Sequence, residues 1–81
     1  MTDQEIREGV IEELGRTAPE ADLTTLNGDE NLRDELAIDS FDALQLIIRF
    51  SERFGVDVPE EDYGKLTTVD KIVGYFAERE G

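Results

Sequence analysis

The segment from Ser40 to Phe54 constrains the fold of this chain more than any other part of the sequence. Apolar residues recur at helical spacing along it and continue around its side, so that only a narrow polar stripe remains. A helix that is apolar over most of its circumference must be buried, and we therefore predict a central helix that begins at Asp39 or Ser40. The apolar positions are Phe41, Ala43, Leu44, Leu46, Ile47, Ile48, Phe50 and Phe54; the polar stripe is Asp42, Gln45, Arg49, Glu52 and Arg53.

An amphipathic helix is predicted at the start of the chain. Thr2 and Glu5 have the spacing of a capping box, and Gly15 is placed where a helix would end. Gly9 lies within the helix and is expected to weaken it by roughly 0.5–1 kcal/mol relative to alanine. The predicted buried stripe consists of Ile6, Val10, Ile11 and Leu14.

Two further helices are predicted after Gly55, which ends the central one. Pro59 suits the first position of a short helix that Gly64 ends. Thr67 and Asp70 resemble a capping box for the last helix. Its apolar stripe is Val69, Ile72, Val73, Phe76 and Ala77.

A long connection over residues 16–38 lacks a sustained period but carries Leu23, Leu26, Leu32 and Leu36, which predict that it is held against a core. Its NLRDEL segment is interpreted as a single helical turn. The sequence thus predicts an all-α fold, a small four-helix bundle of three main helices and one short one, with a long loop between helices 1 and 2, as a single domain over residues 1–81.

The formal net charge of −13 restricts the partners of this chain. Such a surface repels phosphate backbones and anionic membranes, and it favours partners with basic patches. The chain has no cysteine, its beginning does not resemble a signal peptide, and its apolar runs are too short to cross a bilayer. We therefore expect a cytoplasmic protein, a monomer without stable membrane association, that salt or divalent cations stabilise.

Ser40 stands where a loop meets the central helix, in a chain without His or Cys. Serine nucleophiles need an adjacent base, so Ser40 is either a structural helix-start residue or a target for another enzyme. The acidic loops lack the glycine that a twelve-residue calcium loop requires, and no metal site is predicted.

The block IDSFDALQLIIRFSERFGVDVPEEDYGKLTTVDKIVGYF resembles the acyl carrier protein family. The matching features are the Asp39–Ser40 step, the helix that ends at Phe54, the Val56–Pro59 segment, the acidic residues after it and the Lys65–Val69 step. The resemblance covers essentially the whole chain without a gap.

This resemblance implies that Ser40 accepts 4′-phosphopantetheine from coenzyme A, with Asp39 and Phe41 as its neighbours in the cofactor-binding site. A separate phosphopantetheinyl transferase performs the attachment, and the cofactor thiol then carries acyl thioesters between enzymes with basic docking patches. The protein is then a carrier and not an enzyme, which explains the missing base. The interior of the bundle can shelter an acyl chain in this family, so Phe41, Leu46 and Ile47 are candidates for contact with cargo, although core packing is the favoured explanation of these residues.

The resemblance also implies a docking surface on the central helix. The acidic segment after Pro59 is either a docking edge for a basic partner or an ordinary first turn whose acids favour the helix dipole. The candidate docking residues are Asp42, Gln45, Glu52, Glu60 and Glu61.

Several positions depart from the family pattern, in which Leu follows the serine, Gly is common at position 37, and the exposed stripe is more acidic. In this chain Phe41 follows the serine and Ala37 occupies the glycine position. The exposed stripe is less acidic because it carries Gln45, Ser51, Arg49 and Arg53. The pattern is therefore compatible with a specialised carrier that has its own partners, in fatty-acid, polyketide or other metabolism, as well as with the main carrier of fatty-acid synthesis. The alternative is a small acidic protein-binding adaptor with no prosthetic group.

Overall fold

Three long helices and one short helix form the fold of the described residues, 1–80 of the computed structural model. Helix α1 spans Asp3–Thr17, α2 spans Leu32–Glu35, α3 spans Ser40–Phe54 and α4 spans Val69–Glu80. Two 3-10 segments, Leu23–Thr25 and Glu60–Lys65, lie in the connections. The predicted all-α architecture is confirmed.

The core lies where α1 packs against both α3 and α4. Three phenylalanines fill its centre: the ring of Phe50 lies 6.3 Å from that of Phe54 and 6.0 Å from that of Phe76, and the last two rings are 5.0 Å apart. Truncating a buried phenylalanine to alanine typically costs about 3–5 kcal/mol, so these rings dominate the packing energy of a chain this small.

Helix α3 is buried on one side only, and the prediction of burial around most of its circumference is wrong. Phe41 is 67% exposed, Ile48 is 40% exposed and Leu44 is 38% exposed. The buried residues are Leu46, Ile47, Phe50 and Phe54. A small bundle has too few helices to surround a central one, so part of the apolar surface of α3 faces solvent.

The predicted ends of α1 and of the second 3-10 segment need correction. Helix α1 continues past Gly15 to Thr17, and Ala18 follows with φ −131° and ψ 71°. Pro19 restricts the residue before it to extended conformations, so the proline and not the glycine ends the helix. After α3, Pro59 caps the Glu60–Lys65 segment instead of opening an α-helix, and Gly64 lies within it.

The start of α4 is also shifted by one residue from the predicted capping box. The Thr68 hydroxyl oxygen accepts a hydrogen bond from the backbone N–H of Lys71 at 3.1 Å, so Thr68 and not Thr67 caps the helix. Asp70 forms an ion pair with Arg7 on α1 at 2.8 Å instead of reaching back to the cap. The carbonyl oxygen of Thr67 contacts the long connection, where it accepts a hydrogen bond from the N–H of Leu32 at 2.9 Å.

The long connection is held to the core, as predicted. Leu32 is 4% exposed and belongs to the buried cluster. The N–H of Asp70 donates to the carbonyl oxygen of Gly28 at 3.0 Å, which ties the connection to α4. Leu23, Leu26 and Leu36 pack against the same cluster.

Candidate functional site

The turn between α2 and α3 determines how Ser40 is presented. Ala37 has φ 52°, a left-handed conformation that costs an L-residue energy and that glycine adopts freely. Ile38 then enters the core with 6% exposure, and Asp39 is extended at φ −82° and ψ 177°. The left-handed turn, anchored by Ile38, directs the next residues outward and gives a physical reason for the family's preference for Gly at position 37.

Ser40 is the first residue of α3 and is exposed. The Asp39 carboxylate accepts a hydrogen bond from the N–H of Asp42 at 2.8 Å, so Asp39, one of the two predicted starts of the helix, is its N-cap. Ser40 therefore does not cap the helix with its own side chain, and its hydroxyl stays available on the surface.

Arg33 contacts Ser40, which the sequence interpretation missed. One guanidinium nitrogen, Nη2, donates to the Ser40 hydroxyl oxygen at 3.0 Å, and Nε donates to the carbonyl oxygen of Ile38 at 3.4 Å. The sequence carried one signal for this contact, since Arg33 is the only basic residue between Arg16 and Arg49.

An apolar cavity of about 260 Å³ lies between α3, the turn before it, the second 3-10 segment and α4. Leu46 and Ile47 line this cavity, and so do Ser40 and Arg33. Phe41 does not: its exposed ring lines a separate polar cleft. The other lining residues are Leu32, Ile38, Ala43, Leu44, Phe50, Tyr63, Gly64, Leu66, Thr67 and Ile72.

The candidate docking residues fall on two surfaces. On α3, Asp42 and Glu52 are exposed, whereas Gln45 is half-buried and lines the polar cleft with Phe41. Glu60 and Glu61 are exposed in the first turn of the second 3-10 segment.

Three of the residues that were expected to make the exposed side of α3 less acidic, Arg53, Arg49 and Ser51, make contacts within the molecule. The guanidinium of Arg53 pairs with Glu13 at 2.9 Å and with Glu12 at 3.2 Å, and these hydrogen bonds raise its pKa. Arg49 donates to the Thr17 hydroxyl oxygen at 3.0 Å. Both arginines therefore tie α3 to α1.

Ser51 is the third of these residues. Its hydroxyl donates to the carbonyl oxygen of Val56 at 2.7 Å, beside the end of α3. The side chain thus stabilises the chain reversal at Gly55, which has φ 66°.

A buried acid fixes the second 3-10 segment to α4. The Tyr75 hydroxyl donates to one carboxylate oxygen of Asp62 at 2.7 Å, and Lys65 pairs with the other at 2.9 Å. The hydrogen bonds from Lys65 and Tyr75 lower the pKa of Asp62, whereas burial and the hydrogen bond to Asp62 raise the pKa of Tyr75. This cluster holds one wall of the cavity.

The candidate site of this small helical protein thus consists of an exposed serine at a helix start, a guanidinium at its hydroxyl and an apolar cavity beside it. The residues fit 4′-phosphopantetheine, because the hydroxyl is accessible and a cation and unoccupied helix N–H groups lie close to the position of its phosphate. Among residues 1–80 no helix is long and apolar enough to cross a bilayer.

Over residues 4–76 the chain matches the family described as the phosphopantetheine attachment site. Its fold is similar to the solution structure of a putative acyl carrier protein from Anaplasma phagocytophilum, with 35% identity and a TM-score of 0.86 over 96% of this chain and 91% of the other. It is also similar in fold to the acyl carrier protein of Enterococcus faecalis, at 23% identity and a TM-score of 0.84 over 98% and 99% of the two chains.

The chain belongs to the acyl carrier protein family. It is a carrier of acyl groups and not an enzyme, and its cofactor is 4′-phosphopantetheine. Its partners are a phosphopantetheinyl transferase and acyl-handling enzymes in general. The predicted family, cofactor and carrier function are confirmed, which favours the carrier over the acidic adaptor.

Proposed function

We propose that Ser40 is the residue that receives 4′-phosphopantetheine. The observation that carries this proposal is the exposure of Ser40 at the start of α3, directly after the Asp39 cap. The chain has only one other serine, Ser51, and its hydroxyl is committed to the carbonyl oxygen of Val56. Because the transferase supplies the base, a serine without a neighbouring His suits this reaction.

Intact-mass spectrometry after incubation with coenzyme A and a broad-specificity phosphopantetheinyl transferase tests the assignment. We expect one cofactor addition to the wild type, none to Ser40→Ala and one to the matched control Ser51→Ala. Circular dichroism checks that both variants are folded. Addition to Ser40→Ala would refute the assignment.

We propose that the cavity beside Ser40 shelters a short acyl chain on the loaded carrier. Its volume of about 260 Å³ lies just below the range of about 300–1,000 Å³ that is usual for pockets that bury drug-sized ligands. Methyl NMR tests this: resonances of Leu46 and Ile47 should shift when the holo-protein is acylated, whereas the ring signals of Phe41 should not. Equal shifts for Phe41 and Ile47 would contradict the cavity as the binding site.

The docking surface is proposed to combine the exposed apolar side chains Phe41, Leu44 and Ile48 with the exposed acids Asp42 and Glu52 on the same helix. Large exposed apolar side chains beside negatively charged ones fit a partner surface with an apolar centre and a basic rim. Gln45 belongs to this surface as a half-buried hydrogen-bonding side chain at its edge.

The acids Glu60 and Glu61 are proposed as a second docking edge. The single substitutions Glu60→Lys and Glu61→Lys should each slow cofactor attachment, because charge reversal weakens the attraction to a basic partner. Glu8→Lys makes the same charge change on exposed α1, beside Gly9, which lies against Phe54 at the far end of α3 from Ser40. Equal rates for all three variants would remove the two acids from the docking surface.

We propose that this chain is a specialised monomeric carrier that works in the cytoplasm as a single domain over residues 1–81. The exposed aromatic ring of Phe41, directly after Ser40, favours partner enzymes that are specific to this carrier, because every transferase that reaches Ser40 must accommodate that ring. A reducing compartment suits a carrier that depends on a free cofactor thiol.

A further inference from the structure

The backbone around Arg33 is held in place by the fold, and this positions the side chain for its contact with Ser40. Asn31 caps α2 by accepting hydrogen bonds from the N–H groups of Arg33 and Asp34 at 3.0 and 3.2 Å. Leu32, the neighbour of Arg33, is buried at 4% exposure, and its N–H is bound by the carbonyl oxygen of Thr67. The backbone that carries Arg33 is therefore fixed on the core.

Arg33, like Arg49 and Lys71, contacts only neutral groups within the described chain. Among residues 1–80 it forms no ion pair with a carboxylate, although Asp34, Glu35, Asp39 and Asp42 are close in sequence to it or to Ser40. Its hydrogen bonds go to two neutral oxygens, the Ser40 hydroxyl and the Ile38 carbonyl. A guanidinium has five N–H donors, so several remain for an anion at the same place.

We propose that Arg33 binds the phosphate of the prosthetic group, an inference that rests on Ser40 being the attachment residue. In the transfer, the Ser40 hydroxyl oxygen forms a bond to the phosphorus that carries the pantetheine. The pyrophosphate bond of coenzyme A breaks, adenosine 3′,5′-bisphosphate leaves, and the hydroxyl proton passes to a base on the transferase.

The phosphorus then lies one bond from an oxygen that Arg33 contacts at 3.0 Å, so the non-bridging phosphate oxygens come within reach of the guanidinium. Charge-assisted hydrogen bonds from arginine to phosphate are shorter and stronger than neutral ones. The contact also offsets the repulsion between the phosphodiester and Asp39, which precedes Ser40. Arg33 therefore retains the base of the prosthetic arm next to the cavity that Arg33 and Ser40 both line.

NMR of the unsubstituted protein provides the first test. We expect the Nε–H resonance of Arg33 to shift when the apo-protein is converted to the holo-form, and the phosphorus-31 resonance of the arm to differ between the wild type and Arg33→Gln. The same resonances are expected to be unchanged by Lys71→Gln, which removes one exposed positive charge from α4.

Thermal denaturation provides the second test. The gain in melting temperature from apo to holo should be smaller in Arg33→Gln than in the wild type by about 1–6 °C, the effect of one exposed ion pair in a domain of this size. The difference should shrink with added salt, because the pair is screened. Lys71→Gln should retain the wild-type gain, and Arg33→Lys should fall between, since it keeps the charge without the planar fork.

A modified wild type in which the Arg33 resonance does not shift, with equal gains in melting temperature for wild type and Arg33→Gln, would overturn this inference and leave the attachment site intact. A wild type that accepts no cofactor, or a Ser40→Ala variant that accepts it, would overturn the attachment assignment and this inference with it. The NMR test needs no variant, so a poorly folded Arg33→Gln does not prevent the decision.

Discussion

Replacing Gly9 in α1 with alanine has opposite effects on stability through helix propensity and through packing. By propensity alone, replacing this glycine with alanine should stabilise the helix by about 0.8–1.0 kcal/mol. In the structure a Cβ atom on Gly9 would lie 2.9 Å from Nε of Arg53 and 3.0 Å from Cζ of Phe54. Carbon atoms in contact prefer separations of about 3.5–4.0 Å, so both side chains would have to move.

Neither side chain can move without cost. Phe54 packs against Phe76 at a ring distance of 5.0 Å, and Arg53 is held by Glu12 and Glu13. Adding a methyl group to a well-packed interior typically costs about 1–3 kcal/mol. Subtracting the gain in propensity leaves an expected loss of about 0–2 kcal/mol for Gly9→Ala.

Gly74 in α4 is the matched control, because a Cβ there meets no atom within 4 Å and the residue is exposed. Gly74→Ala should therefore gain about 1 kcal/mol from propensity alone. The difference between the two variants isolates the overlap, about 1–3 kcal/mol.

Urea unfolding of both variants, followed by circular dichroism, gives the midpoint and the slope of each transition. Unchanged slopes would show that a shift of the midpoint reports a change in stability and not a change in the compactness of either state. The double variant Gly9→Ala/Phe54→Leu should recover part of the loss relative to the sum of the single changes. A Gly9→Ala protein that gains as much stability as Gly74→Ala would refute the packing argument.

Three further predictions concern strain, pH and charge. Ala37→Gly should raise the unfolding free energy by about 0.5–1 kcal/mol, because relief of the left-handed conformation outweighs the added freedom of the unfolded chain; a lower melting temperature would contradict this. Asp62→Asn should destabilise the protein at neutral pH, where the ionised carboxylate is held by Lys65 and Tyr75. Since folding lowers the pKa of Asp62, the stability that this carboxylate contributes is present above the ordinary pKa of 3.8 and is lost as the pH falls below it. The urea midpoints of Asp62→Asn and wild type should therefore converge in acid. A difference between the midpoints that stays constant with pH would count against the ion pair. Added salt should raise the melting temperature, because a net charge of −13 repels itself; an unchanged temperature would oppose that reasoning.

The ends of α3 could be predicted because local chemistry determines them. The Asp39 carboxylate binds a free N–H of the first turn, and Gly55 adopts φ 66° after the last turn. Both effects act within a few residues, so one sequence is enough to see them. Ser40 could be singled out on the same basis, because its position relative to this cap is visible in the chain.

The exposure of Phe41 and the contact of Arg33 could not be predicted in the same way. A helix that is apolar nearly all around shows that some of its surface is buried, but not how many neighbours the fold provides to cover it. The Arg33 contact depends on the left-handed turn at Ala37, which brings a residue seven positions upstream beside Ser40. The sequence shows Arg33 as an isolated base but does not indicate such a turn at an alanine.

The distribution of charge explains how so acidic a chain can both fold and recruit partners. Every base of the described chain is engaged within the molecule, and Arg33 alone makes its contact at the proposed attachment serine. Most of the acids lack such a partner and stay on the surface, so a partner meets the net charge of −13 mainly as exposed carboxylates. A transferase or acyl-handling enzyme must then supply the cations of the interface itself. The pairings are Arg7 with Asp70, Arg16 with Glu13, Arg49 with Thr17, Arg53 with Glu12 and Glu13, Lys65 with Asp62, Lys71 with Thr67 and Arg79 with Tyr75.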